Sequence, residues 1–496
     1  MGGKKRILIG LMGLFMLLVW GSSAWAIEYG NFAMSGWIRN QIAVGVAGAN
    51  PNNCDLAGNC QDKANLKLFH TSVQLKPQYT FTDNLSVFAR LFAANEQAVW
   101  DRNVDDFNAF PKNYPGSWTK SDDTWQLSVK ELYMDYDTEM FWLRLGKQQV
   151  SWGQSDGLRL LDIVNPLDIS WHGANLTEPY LEAFDNLRES LWMARGTVRI
   201  PVSSDNWKDL QLEGIWLPGR FVGTIMPEYG SPYNLVPAFF NQIEDKPHGQ
   251  EFGVRFMGVF KRLEFSLNYF NGYSDDGLFS RTAYNPALNM LDTYVKHPRV
   301  DSYGFSLSYD DNMNTKAVYR MEFLYEPNRP YETSDPFLLS IGVNDATTGK
   351  IDRLSTIKAL IGIDRPTFIN FLNPNRTFGL GFQVFDFWVT EGADDLGKRN
   401  VTLSGGQVSE HDYGFSFSAD TGYMQDRIKP SFLFIYNLTR GTQYFQLGTE
   451  LRFTDNLIGY VGGSFFGGGN RNPANGVNPG SLYYCNEVQT RISYQF

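Results

Sequence analysis

From residue 69 to 81 the chain alternates, with Phe69, Val73, Leu75, Tyr79 and Phe81 on one parity and His70, Ser72, Gln74, Lys76, Gln78 and Thr80 on the other. A period of two marks an extended strand whose two faces meet different surroundings. Residues 413–420 repeat it, with Tyr413, Phe415, Phe417 and Ala419 opposed to Gly414, Ser416, Ser418 and Asp420. In 445–453, Phe445, Leu447, Leu451 and Phe453 oppose Gln446, Gly448, Glu450 and Arg452. Windows of this kind predict strands near 31–46, 68–82, 85–96, 125–137, 140–152, 191–202, 208–218, 250–260, 263–273, 301–310, 315–326, 355–365, 377–389, 411–421, 428–438, 443–454, 457–467 and 485–496. That is 18 strands, or 16 if the least regular windows, 31–46 and 457–467, are discounted.

A soluble sandwich also alternates, so the connections decide. Short ones at 82–84, 261–262, 310–314 and 454–456 are interspersed with long ones of about 15 to 35 residues, the asymmetry of short periplasmic turns and long extracellular loops. Aromatics at window ends, such as Tyr303 and Tyr309, suit interfacial girdles. The expected fold is all-β: a transmembrane antiparallel up-and-down β-barrel of about 18 strands, both termini in the periplasm. The closing window ends on Tyr494 and Phe496 and resembles the sorting signal that such barrels present to their insertion machinery. One window resists: the parity that puts Trp125, Leu127 and Val129 on lipid also puts Glu131 there, so a bulge is expected.

Composition narrows the class further. Of 496 residues 15% are aromatic, which excludes disorder, and a formal charge of −10 with no basic cluster excludes a nucleic-acid binder. Lys4, Lys5 and Arg6, the apolar run 7–20 and Ala24-Trp25-Ala26 predict a cleaved secretory signal over 1–26, leaving 27–496 as a single barrel domain. No later stretch is long and apolar enough for a spanning helix, so an exported chain of this size is soluble, surface-attached or a membrane barrel; with the barrel pattern the expected location is the outer membrane of a Gram-negative bacterium, with its lipid as surroundings.

With lipid positions assigned by parity, the opposite positions name the lumen: Arg90, Arg144, Arg195, Arg199, Arg255, Arg320, Lys358, Arg452 and Arg491, with Glu213, Glu264, Glu322, Glu450 and Glu487. Such ions either pair across strands as scaffolding or line a pathway that orients polar solutes. Phe88, Phe92, Trp142 and Met257 stand among them, as filling around a plug or as a track for amphipathic solutes. The connection 151–190 is too apolar for a solvated loop. It is expected either to fold inward as a constriction lined by Asp156, Arg159, Asp162 and Asp168, or to cap the barrel from outside.

The residues Arg144-Leu145-Gly146-Lys147-Gln148-Gln149-Val150-Ser151-Trp152-Gly153-Gln154 and Asp162-Ile163-Val164-Asn165-Pro166-Leu167-Asp168 resemble the outer-membrane domain-of-unknown-function 1302 family. Ile363-Asp364-Arg365-Pro366 and Asn373-Pro374-Asn375-Arg376-Thr377-Phe378 are similar to it as well. The family often carries Glu where this chain has Gln154. The resemblance implies an outer-membrane barrel without a settled substrate, sometimes thought of as a porin-like transporter for apolar or aromatic compounds.

Other chemistry is absent. Five scattered histidines show no metal spacing and no haem-attachment motif, so neither metal nor cofactor is expected. Cys54 and Cys60 are spaced to close a disulfide in an oxidising compartment, leaving Cys485. Ser155, His172 and Asp168 are close in sequence but lack a nucleophile-elbow motif. The expected function is passive diffusion of small solutes through a porin-like, non-enzymatic channel. The alternatives are a non-conducting scaffold for a periplasmic or electron-transfer partner and an outer-membrane hydrolase.

Overall fold

The computed structural model describes residues 27–48, 50, 66–98, 119–121, 125–155, 157–170, 187–219, 222–227, 231–235, 240–275, 277–287, 290–333, 350–390, 399–400, 406–407, 409–469, 480 and 482–496. The expected signal at 1–26, Cys54, Cys60, Asp156 and His172 lie outside the described residues.

Eighteen strands close into one antiparallel barrel. They are β1 Phe32–Gly45, β2 Leu66–Thr82, β3 Leu85–Glu96, β4 Trp125–Asp137, β5 Phe141–Gln148, β6 Leu191–Arg199, β7 Trp207–Leu217, β8 Glu251–Phe260 and β9 Leu263–Tyr273. They continue as β10 Arg299–Asp311, β11 Ala317–Thr333, β12 Lys350–Thr367, β13 Phe378–Val389, β14 His411–Asp420, β15 Ile428–Asn437, β16 Thr442–Arg452, β17 Leu457–Gly468 and β18 Glu487–Gln495. Each pairs with the next, and β18 returns to β1 from Trp37↔Gln495 to Gly45↔Glu487. Beyond that ladder the Gly36 amide donates to the Phe496 carbonyl at 2.8 Å and the Phe496 amide to the Gly36 carbonyl at 3.0 Å, so the terminal residue is part of the seam. Closure leaves no wall strand with an unpaired edge, the condition for surviving where no water can satisfy the backbone.

The wall is apolar outside and mostly polar inside, with buried inward apolar side chains such as Leu324, Leu360 and Leu433 among the polar ones. Leu267 is 56% exposed while its neighbours Ser266 and Asn268 are 2% and 6% exposed. Leu127, Leu212, Phe252, Ile361, Leu447 and Val461 share the outward face. Removing such a side chain from water is worth about 1.5–3 kcal/mol, so this surface is stable against an apolar medium and unfavourable against water.

In β4 the register runs from Arg90↔Glu131 directly to Leu91↔Val129, leaving Lys130 as the extra residue of a bulge. That one residue turns Lys130 and Glu131 inward while Leu127 before them and Met134 after them stay exposed, resolving the parity conflict around Glu131. The strand expected over 140–152 stops at Gln148. Its continuation leaves the wall because the Val150 amide is taken by the Asn165 side-chain oxygen at 2.7 Å instead of by a neighbouring strand. β11 and β12 reach Thr333 and Lys350, beyond the 315–326 and 355–365 expected. A small sheet from the connections, in which Phe240–Asp245 runs parallel to Met290–Lys296 and Leu278–Asn285 antiparallel to it, was not predicted by the windows.

Candidate functional site

Past Gln148 the chain enters the barrel. The Trp152 indole is buried, donates Nε1–H to Glu213 Oε1 of β7 at 2.8 Å, and meets Phe270 of β9 edge-on at 6.2 Å. Gly253 of β8 makes room for it, since a Cβ there would stand 2.7 Å from the indole ring. Glu322 of β11 then accepts the Gln154 amide and, at 3.4 Å, the Leu161 amide, while Arg320 donates to the Gln154 carbonyl. Gln154 is therefore held through its backbone. Leu160 and Leu161 pack with Leu324, Leu360 and Phe385 of β11, β12 and β13. Gly157, at φ +70°, turns the chain against Leu433 of β15, which a Cβ would approach to 3.1 Å. On the way back Leu167 and Ile169 join Leu433, Tyr444 of β16 and Phe466 of β17. The segment thus touches walls from β7 round to β17 and crosses the interior.

Ion pairs anchor it. Asp162 accepts from Arg188 Nε at 2.7 Å and lies 3.4 Å from Arg159 Nε. Arg159 also donates to the carbonyls of Asp162 at 2.6 Å and Asn165 at 2.5 Å. Asn165 is 0% exposed, and besides holding Val150 it donates to the Glu189 carbonyl at 2.8 Å. Asp168 accepts from Lys130 at 2.9 Å and Ser170 Oγ at 2.5 Å. Glu189 joins Lys147 at 2.8 Å to Lys130 at 3.5 Å. Burial pushes the Asp168 carboxyl up, but Lys130 and the Ser170 hydrogen bonds outweigh it and hold the group below the usual aspartate range. Breaking a buried pair by removing one partner costs about 3–5 kcal/mol, so Asp162 and Asp168 are fixing points of the segment.

The remaining sequence-predicted residues line the inner wall but do not gather. Arg90 pairs with Glu131 at 3.1 Å. Arg144 makes a forked pair with Asp135 at 2.7 and 2.8 Å, its guanidinium 3.7 Å from the Tyr133 ring centroid. Arg255 stands opposite Glu213 in the β7–β8 register. Arg320 meets Asp364 at 2.5 Å, and Arg491 lies over the Tyr460 ring at 5.2 Å. Glu450 and Arg452 pair at 2.9 Å near the turn 453–456, away from the segment, and Tyr494 is buried. Of the inward aromatics, Phe88 stacks on Tyr133 at 5.0 Å, and Trp142 lies 5.0 and 5.1 Å from the guanidinium groups of Arg144 and Arg195. Ser155 Oγ donates to the Leu158 carbonyl at 2.7 Å, so Ser155 and Asp168 are engaged with different partners. The anchors to which sequence reasoning gave no role are Lys130, Lys147, Asn165, Arg188 and Glu189, although Lys147 and Asn165 lie in the two stretches that carry the family resemblance. The parity conflict at Glu131 was the one signal that pointed at Lys130.

A sequence profile of the family described as "Protein of unknown function (DUF1302)" matches residues 8–496. Among solved structures, OccAB3 of Acinetobacter baumannii is similar at 10% identity, covering 94% of this chain and 100% of that one, with a TM-score of 0.51. OccAB2 of the same organism is 10% identical over 94% of this chain and 98% of its own, with a TM-score of 0.49. OmpF of Salmonella typhi, solved with daunomycin, is 10% identical over 95% of this chain and 100% of its own, with a TM-score of 0.39. Such identities show the barrel fold alone. No curated protein matches the sequence.

Proposed function

Because the chain belongs to the DUF1302 family and has a porin-like barrel, we propose that it lies in the bacterial outer membrane and passes small solutes by passive diffusion through a lumen narrowed by residues 149–170. The observation that carries this reading is the crossing segment, tied to β7 through Trp152, to β11 through Glu322 and to β4 through Asp168. A segment anchored on several sides of a barrel sets the bore in place of the wall. The short-turn end faces the periplasm and the long connections face outward. Along the inner wall guanidinium groups lie over aromatic rings, at Arg144 on Tyr133 and Arg491 on Tyr460, which suits solutes that carry both polar groups and apolar bodies. On this reading the protein is a channel and not a hydrolase.

The test is single-channel conductance of the full chain in a planar bilayer, beside a variant lacking residues 157–184. Discrete steps that grow in the deletion variant are expected. Unchanged conductance on deletion would remove the constriction. Silence from a barrel whose circular dichroism shows it folded would overturn the channel and favour a scaffold for a periplasmic partner.

A further inference from the structure

Two stretches that carry the family resemblance, 363–366 and 373–378, lie apart from the crossing segment and flank the turn between β12 and β13 at the short-turn end. Ten residues separate Thr367 from Phe378, more than in any other turn at that end. The turn is held in one shape by its neighbour, 421–427. Asn373 is buried and donates Nδ2–H to Thr421 Oγ1 at 3.0 Å and to the Gly422 carbonyl at 2.9 Å. Thr421 donates on to the Thr377 carbonyl at 3.0 Å, the Tyr423 hydroxyl donates to the Leu372 carbonyl at 3.3 Å, and Arg376 pairs with Asp426.

The surface these two turns present is apolar. Phe368, Phe371 and Leu372 are 61%, 86% and 51% exposed, and Met424 on the neighbouring turn is 73% exposed. Large apolar side chains offered together by a rigid element mark a surface that something covers. Cations border them. Asp364 turns inward to Arg320, so Arg365 shares the parity of Ile361 and Ile363 and faces lipid two residues before β12 ends. Arg365 and Arg427 are both exposed, and neither side chain has a partner among the described residues. Single exposed apolar side chains recur at other short turns, at Met140, Met313 and Phe453. The apolar rim therefore follows the barrel round, as a leaflet boundary does and a single protein partner would not.

We infer that turns 368–377 and 421–427 anchor the barrel in the periplasmic phospholipid leaflet. Phe368, Phe371, Leu372 and Met424 enter the boundary between headgroups and acyl chains, while Arg365 and Arg427 take the phosphates of anionic phospholipid. Apolar side chains beside unpaired cations are the chemistry of an interfacial anchor. Burial sets its depth, and each cation near the surface adds about fivefold in affinity for an anionic leaflet. The lipid-facing wall runs into this patch through Ile361, Ile363 and Arg365, so the contact extends one that the barrel already makes. The anchor rests on the outer-membrane reading above and does not depend on whether the lumen conducts.

The test places the full chain in nanodiscs of phosphatidylcholine alone or mixed with phosphatidylglycerol. In a Cys54→Ser, Cys60→Ser background, with the buried Cys485 left unlabelled, a nitroxide at Asn370→Cys reads the depth of the turn. Depth is taken from its collisions with lipid-soluble oxygen against those with a water-soluble nickel chelate, and a nitroxide at Ile361→Cys is the wall reference. The turn label is expected to be immersed in the mixed discs and to shift toward water in phosphatidylcholine alone. Arg365→Gln and Arg427→Gln should each lower the ratio of immersed to water-exposed label about fivefold in the mixed discs, and leave it unaltered without phosphatidylglycerol. Phe371→Ser should lower it about tenfold in both. A turn label in water in both discs, beside an immersed wall label, would overturn the anchor, leave the membrane reading standing and free the patch for a periplasmic protein. Immersion that ignores phosphatidylglycerol and both arginines would overturn the headgroup contact. A wall label in water would sink the outer-membrane reading itself, and the anchor with it.

Discussion

Trp152 is the first point at which the segment grips the wall beyond β6, and its two contacts can be removed separately. The indole is 1% exposed and packs in a cluster with Val150, Val164, Met193, Ile215 and Phe270. Truncation of so large a buried side chain costs about 3–5 kcal/mol through lost transfer energy and the cavity left behind. Trp152→Phe keeps most of the ring and loses the bond to Glu213. Glu213 retains Arg195 at 2.6 Å, so no buried charge is stranded and the cost should be about 1 kcal/mol. At 1.4 kcal/mol per tenfold, Trp152→Ala should raise the detached fraction of the segment by about a hundred- to a few-thousand-fold, and Trp152→Phe by about five- to tenfold. Amide hydrogen exchange in lipid nanodiscs reads this locally, with peptides from 149–170 against the seam strands β1 and β18 as internal reference. Faster exchange confined to the segment, in the order Ala, Phe, wild type, is expected. Unchanged protection of 149–170 in Trp152→Ala, or equal loosening of the seam, would refute the idea that this side chain pins the segment to the wall.

Two further outcomes follow from the same geometry. Asp168 ionises below its ordinary value of 3.8 in the folded protein, so its contribution to stability is complete above that value and is lost as pH falls through the lower folded one. Asp168→Asn should therefore flatten the acid side of the segment's exchange protection below about pH 4, and an unaltered acid profile would place the titration elsewhere. Gly157→Val sets a branched side chain at φ +70° against Leu433, so it should displace the tip and change single-channel conductance, whereas Gly219→Val, where a Cβ meets nothing within 4 Å, should leave conductance unaltered.

Alternation along the chain determined the barrel. Each of the 18 windows overlaps a wall strand, although 140–152 runs on past the end of its strand at Gln148, because a strand between lipid and a polar interior must alternate wherever it crosses, and that requirement is written locally in every strand. Glu131 shows how far local reading extends: its wrong parity announced a bulge, although the extra residue proved to be Lys130. The interior was legible as a set of charged positions and not as a set of pairs. Arg188 with Asp162, Lys130 with Asp168 and Lys147 with Glu189 join residues 26 to 42 positions apart. Nothing in their spacing says which cation meets which carboxylate. The end of β5 at Gln148 was hidden for the same reason, since the apolar Val150 and Trp152 continue a strand-like parity while their partners, Asn165 and Glu213, come from a loop and from another strand. Parity tells a side chain which side of the wall it faces. Only the closed barrel, which brings β4, β7, β11 and β15 round one interior, decides what each inward side chain meets there and that residues 149–155 and 157–170 run across it.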